Sequence, residues 1–178
     1  RLLSSADYET KDSYTFDVTA SDGELSDTKT VTVSVTDLNE ASTITSLNTG
    51  SVTENDDITT VIYDADATDP DGDSLTYSVS GTDASYVEID SNDGEVRFSN
   101  PADYETKDSY TFDVTASDGE LSDTRTVTVN VTDANEVANI TSIETGSVAE
   151  NADITTVIYN ADATDPDGDT LTYSVSGT

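Results

Sequence analysis

The chain has no cysteine, methionine, histidine or tryptophan, and only 6 lysines and arginines stand against 38 aspartates and glutamates. Each absence excludes a kind of chemistry. Without cysteine and histidine, zinc, haem and iron–sulfur centres have none of their usual ligands. Thiol chemistry is ruled out, and so is a histidine acid–base relay. The lack of cysteine also removes any redox indication of compartment. No apolar run approaches the ~20 residues of a membrane span. No signal peptide opens the chain, which therefore reads as an internal piece of something longer. A formal charge of -32 makes nucleic acid and anionic membrane surfaces poor partners. Self-repulsion at that level works against compactness, so multivalent cations are the expected counter-ions.

What is present is repetition. High acidity with 33% hydrophobic residues is also a mark of disorder, but Val, Tyr and Phe alternate regularly and turn signals fall at strand spacing. Asp7-Tyr8-Glu9-Thr10-Lys11-Asp12-Ser13-Tyr14 recurs as Asp103 through Tyr110. Val52-Thr53-Glu54-Asn55 recurs as Val148-Ala149-Glu150-Asn151, and Ile58 to Tyr63 is repeated letter for letter at Ile154 to Tyr159. The offset is 96 residues throughout, the size of one small β-sandwich. Junctions between copies fall at Asp37-Leu38-Asn39-Glu40 and Asp133-Ala134-Asn135-Glu136. Residues 1–40 thus match the second half of a repeat, 41–136 form one complete repeat, and 137–178 match the first half. Each end piece would expose half a core. Either the chain is a window on a longer array, the favoured reading, or one chain's tail completes the next chain's head.

Inside a repeat the apolar residues have period 2. Tyr110, Phe112, Val114 and Ala116 alternate with Thr and Asp; Val127, Val129 and Val131 do the same. Leu75, Tyr77 and Val79 predict another strand, as do Val61, Tyr63 and Ala65. Val87 with Ile89, and Val96 with Phe98, flank the turn Asn92-Asp93-Gly94. No stretch has helical periodicity with caps. About seven short strands per repeat predict an all-β, two-sheet sandwich.

Four acidic motifs recur at strand ends. One is Asp-x-Glu, at Asp7/Glu9 and Asp103/Glu105, where an extended chain would aim both carboxylates to one side. The junctions contribute Asn39-Glu40 and Asn135-Glu136. Asp69-Pro70-Asp71-Gly72-Asp73 is repeated from Asp165 through Asp167 to Asp169, and Ala-Ser-Asp-Gly carries Asp22 and Asp118. Glu54 and Glu150 stand alone near the start of each copy. Singly, each motif has a plain explanation: Asp-Gly is a hairpin signal, Asp-Pro-Asp-Gly is good turn chemistry, and a lone Asp-x-Glu is usually a solvated edge. Gathered at one pole of a sandwich they would be strongly repulsive without metal. Oxygen ligands alone suit a hard cation with 6–8 ligands, which is Ca²⁺. An EF-hand does not fit Asp69-x-Asp71-x-Asp73, because Ser74 and Ser80 stand where that loop needs Gly and the bidentate Glu.

In this order the motifs resemble those of the cadherin repeat. Val52-Thr53-Glu54-Asn55 is similar to the family's Pro-Glu-Asn, Asp103-Tyr104-Glu105 to Asp-Arg-Glu, and Asp69-Pro70-Asp71 to Asp-Ala-Asp. Asp133-Ala134-Asn135-Glu136-Val137 is similar to the linker Asp-x-Asn-Asp-Asn, with Glu136 and Glu40 in place of the second Asp, and Val137 and Ala41 in place of the final Asn. The resemblance implies tandem seven-stranded Greek-key sandwiches, immunoglobulin-like, with Ca²⁺ bound between consecutive domains. By it, the first junction would use Asp7, Glu9, Asn39, Glu40, Asp69, Asp71 and Asp118, with backbone oxygens of Leu38 and Ala41. The second would use Glu54, Asp103, Glu105, Asn135, Glu136, Asp165 and Asp167, with backbone oxygens of Ala134 and Val137. Asp73 and Asp169 are the outlying candidates. The near-identity of the copies and their Thr/Asp/Ser-rich composition resemble the repeat arrays of large bacterial surface adhesins.

The expected function is mechanical. Ca²⁺ would pin neighbouring repeats of one chain, outside the cell or on its surface, into a rod that extends an adhesive tip. The competing reading is that the modules themselves bind a ligand, either a copy on another cell or a surface polysaccharide; an exposed aromatic patch would favour it. An enzyme is the third class, since paired carboxylates could serve a glycosidase. Repeating them at every junction suits a structural ion site, so no catalytic residue is assigned.

Overall fold

The strongest period-2 stretches become the longest strands. In the computed structural model, which describes residues 1–177, β1 (Ser13–Ser21) and β2 (Ser26–Ser34) form an antiparallel hairpin running from Ser13 opposite Ser34 to Ser21 opposite Ser26. Thr178, the last residue of the expected third segment, lies outside the described residues. Residues 41–136 hold β3 (Thr43–Ile44), β4 (Thr49–Thr53), β5 (Tyr63–Asp64), β6 (Ala67–Thr68), β7 (Thr76–Ser80), β8 (Val87–Ile89), β9 (Glu95–Phe98), β10 (Ser109–Ser117) and β11 (Ser122–Thr132). The third segment has β12 (Asn139–Ile140) and β13 (Ala163–Thr164).

Besides the two-stranded ladder of β3 with β6, the complete repeat has two larger sheets, as expected. One has the order β4-β11-β10-β7 and the other β5-β9-β8. Two splits account for the nine segments where about seven were expected: the edge strand divides into β3 and β4, and the next into β5 and β6. The chain leaves the antiparallel ladder of β3 with β6 and crosses to pair β4 in parallel with β11. The expected strand through Val61, Tyr63 and Ala65 shrinks to β5, because Ile62, Tyr63 and Ala65 are all buried and the alternation breaks. Backbone bonds from Ile62 to Val96 and from Ala65 to Gly94 continue its contact with β9. Gly94 closes that turn at φ 82°; an added Cβ would lie 2.5 Å from the Ala65 carbonyl oxygen.

Between the sheets lie Phe112, Val114, Val127 and Val129 against Tyr63, Val96 and Phe98. Tyr110 meets Phe98 edge to face, with centroids 4.6 Å apart. Burying each such side chain contributes ~2 kcal/mol before chain entropy is counted. The same nine letters, SYTFDVTAS, make β1 and β10. Phe112 is 1% exposed and its copy Phe16 is 49% exposed, because only β10 has a second sheet packed on it.

Topology decides which acids share a pole. Strand β10 spans the sandwich, so the loop before it, with Asp103 and Glu105, and the turn after it, with Asp118, lie at opposite ends. Strand β11 returns to the Asp103 end and runs into the linker at Asp133. Because β4 is parallel to β11, with Thr53 opposite Thr132, Glu54 emerges beside that linker.

Candidate metal sites at the two junctions

At the first junction the linker is tied to the complete repeat by two hydrogen bonds. The Glu40 N–H donates to Asp71 Oδ2 at 2.8 Å, and the Asn39 amide donates to Asp118 Oδ2 at 2.9 Å. Asp69 Oδ1 accepts the N–H groups of Asp71 and Asp73 at 3.0 and 3.2 Å, which fixes the Asp-Pro-Asp-Gly-Asp loop. Carboxylate oxygens of Glu9, Glu40 and Asp71 come within 4.8 Å of one another.

The second junction repeats this plan and adds to it. The Glu136 N–H donates to Asp167 Oδ2 at 2.8 Å, and the Asp169 N–H to Asp165 Oδ1 at 3.1 Å. Glu54, 2% exposed, accepts the Ala134 N–H on one oxygen at 2.7 Å and the Tyr104 N–H on the other at 2.8 Å. Oxygens of Glu54, Glu105, Asp133 and Asp167 lie within 4.8 Å of one another.

Part of each expected set is thus brought together: Glu9, Glu40 and Asp71 at the first junction, and Glu54, Glu105 and Asp167 at the second. Asp118 serves two roles at once: Oδ1 accepts the Glu120 and Leu121 N–H groups of its hairpin turn, while Oδ2 meets Asn39 across the junction. The pair Asp103 and Glu105 does not act as it would in an extended strand, because residues 104–106 form a turn. Asp103 instead accepts the N–H and hydroxyl of Thr106, and Asp7 those of Thr10, leaving Glu105 and Glu9 to enter the clusters. Asn135 donates to the Glu136 carbonyl at 3.2 Å. Asp73 and Asp169 take part in the observed bonds through their N–H groups alone. Among the described residues, no hydrogen bond ends on the carbonyls of Leu38, Ala41, Ala134 or Val137, which leaves those oxygens free. Asp133 was not among the expected ligands, although it opens the junction motif and the structure sets it in the cluster. Asn55, also not expected, donates to Glu136 Oε1 at 2.5 Å.

Four buried carboxylate oxygens have no hydrogen-bond partner among the described residues: Asp69 Oδ2, Asp71 Oδ1, Glu136 Oε2 and Asp167 Oδ1. All four lie at the junctions, two at each. An unpaired buried charge is costly unless a cation meets it. Titration agrees. Desolvation, with Glu9, Asp71, Asp37 and Asp7 around it, raises the Glu40 carboxyl above the usual range. Desolvation and then Asp167 do the same for Asp133. The Asn55 amide pulls Glu136 down, but desolvation together with Glu54, Asp167 and Asp103 leaves it raised. All-oxygen donors with orphaned buried atoms fit a hard divalent cation.

Known proteins resemble this chain in sequence and fold. Residues 48–132 match the family model described as Cadherin domain. Mouse cadherin-related family member 2 is 36% identical over 104 residues, covering 57% of this chain and 8% of that protein. Human protocadherin Fat 1 is 32% identical over 193 residues, covering 98% of this chain and 4% of that protein. The chain thus spans a small fraction of the relatives it matches. The solved protocadherin gammaB7 EC3-6 cis-dimer superposes with a TM-score of 0.66 at 24% identity, covering 90% of this chain and 45% of that one, a likeness of fold.

Proposed function

We propose that this chain is an extender segment of a cell-surface adhesin of the bacterial kind, made of cadherin-like repeats stiffened by Ca²⁺ at their junctions. The observation that carries this reading is the set of four orphaned buried carboxylate oxygens, divided equally between two junctions 96 residues apart. Bound Ca²⁺ would supply the positive charge that lets these oxygens stay buried and close together. The rest is done by the chain's own groups. The Glu40 and Glu136 N–H groups anchor each linker to the Asp-Pro-Asp loop that follows it. Glu54 ties the second linker to the loop at Tyr104, and Asn39 ties the first to Asp118. The second linker is thereby held to elements on both of its sides, and the first to the repeat that follows it; with Ca²⁺ bound at each, a repelling chain becomes a rod.

The competing ligand-binding reading needs an aromatic patch. Within residues 41–136, Tyr63 and Tyr110 are buried, and Tyr86 stands at 50% exposure as a single ring. The extender reading is tested with this chain in calcium and in chelator, by melting temperature and small-angle scattering. At 100 times Kd one bound ion adds ~2.7 kcal/mol. Chelation is expected to lower the melting temperature by several degrees and to shorten the time-averaged particle. A melting temperature and radius of gyration indifferent to chelator would refute it.

A further inference from the structure

We infer that Asn55 is a positioning residue, holding the linker carboxylate of Glu136 in place with or without a bound cation; this rests on the reading of the second junction as a cation site. Asn55 has φ 60°, in the left-handed region where Gly, Asn and Asp are the residues best tolerated. Its N–H donates to the Ala102 carbonyl at 3.0 Å, which pins the turn. Its side-chain amide donates to Glu136 Oε1 at 2.5 Å, across 81 positions of sequence. Of the residues that suit this backbone, asparagine alone brings a neutral donor. Glycine would keep the turn and lose the bond. Aspartate would keep the shape and set one more negative charge against Glu136.

The consequence lies in the other oxygen. With Oε1 engaged by Asn55, Oε2 is the atom left buried and unpaired, so this bond selects which oxygen of Glu136 is free. Glu54, one residue earlier, grips the linker at Ala134 and the neighbouring loop at Tyr104. The two residues after β4 therefore act together: one is a buried carboxylate of the cluster, and the other is a neutral latch on the carboxylate facing it. An amide keeps its donor in chelator, so the latch works on the metal-free chain. Asn151 has the same φ of 60° after Glu150, which makes the turn a property of the Glu-Asn pair itself.

The test compares the whole chain with Asn55→Gly. In chelator, backbone hydrogen exchange at residues 134–137 is expected to quicken about tenfold, the loss of one hydrogen bond to a charged group. On calcium titration followed by the amide resonances of Asn39 and Asn135, affinity at the second junction is expected to fall about tenfold. Affinity at the first junction, which Asn55 does not touch, should stay unchanged. In a Glu136→Ala background, Asn55→Gly should add no further loss. Unchanged exchange in chelator would overturn the proposal, as would an equal loss in the Glu136→Ala background, which would mark a general effect of the turn. If the parent takes up calcium at neither junction, the cation reading falls instead, and the exchange result in chelator still decides the role of Asn55.

Discussion

The two junctions are copies in sequence, and the chain supplies each with a different part of its surroundings. Each closes the linker onto an Asp-Pro-Asp loop by one N–H bond, from Glu40 to Asp71 and from Glu136 to Asp167. The second then adds the buried Glu54 and the Asn55 amide; within residues 1–177 no Glu-Asn pair stands in that place at the first. Glu136 is accordingly half-buried and Glu40 exposed. The Asn39–Asp118 bond is seen at the first, since the position 96 residues after Asp118 lies beyond residue 178. The difference separates two jobs that the motifs blur. Some carboxylates hold backbone N–H groups and shape the joint, whereas others leave a buried oxygen with no partner among the described residues. Glu54 does the first with both of its oxygens, whereas Asp71 is divided between the two, holding the Glu40 N–H on Oδ2 and leaving Oδ1 buried without a partner among the described residues.

The sharpest break of that distinction is Glu54→Ala. It removes a member of the oxygen cluster and strands the Ala134 and Tyr104 N–H groups. Leaving buried donors unsatisfied costs ~1–3 kcal/mol each, so the change should destabilise the chain both in calcium and in chelator. Calcium affinity at the second junction should drop by about two orders of magnitude, from the lost charge and the loosened linker together. The first junction should bind as before. Thermal unfolding under both conditions, with site-resolved titration, checks it; a loss confined to calcium would mean that Glu54 is a ligand and nothing more.

Asp71→Ala should behave in the opposite way, with a smaller effect. Asp71 Oδ1 is buried and unpaired, and the residue faces Glu9 and Glu40. In calcium the substitution removes a ligand, and affinity at the first junction should fall at least tenfold. In chelator it removes one of a set of repelling charges but also the acceptor of the exposed Glu40 N–H, so the net change in stability should stay within ~1 kcal/mol. Asp93→Ala is the control, because Asp93 serves its own turn through the Glu95 N–H and should leave calcium affinity at both junctions unchanged. Equal affinities for the two variants by calorimetry would remove Asp71 from the site.

Much of this was legible in the sequence, for physical reasons that also mark where it stops. The strands through Phe112 and Val129 announce themselves because period 2 is the direct imprint of one buried face. The split of the edge into β3 and β4 does not, since it depends on which sheet each short segment finds after folding. The same holds for β5, where Ile62 and Tyr63 are both buried. At the site, residue type pointed to an oxygen-rich cluster, and the repeat pointed to acids of which some are brought together. Hydrogen-bond partners were hidden: that Asp103 would turn to Thr106, that Glu54 would grip Ala134, or that Asn55 would reach Glu136 depends on backbone angles and on the parallel pairing of β4 with β11. Asp133 was open to view as the first letter of the junction motif.

The smallest expected effect concerns Asp73 and Asp169, the outer acids of the two Asp-Pro-Asp-Gly-Asp loops. Their backbone N–H groups cap Asp69 and Asp165, while among the described residues neither carboxylate joins the oxygen clusters or is left buried without a partner. A substitution that keeps the backbone should therefore change little at either junction. Asp73→Asn and Asp169→Asn are the right probes, because asparagine keeps the turn preference of aspartate and removes only the charge. Each should shift calcium affinity less than about threefold, the scale of a screened charge near a site that it does not enter. The two variants also test whether the junctions are equivalent at their margins. Asp169 adds to the field that raises the Asp133 carboxyl, so its removal should be the more visible of the two, easing repulsion in chelator. A tenfold loss for either variant would place that carboxylate among the ligands.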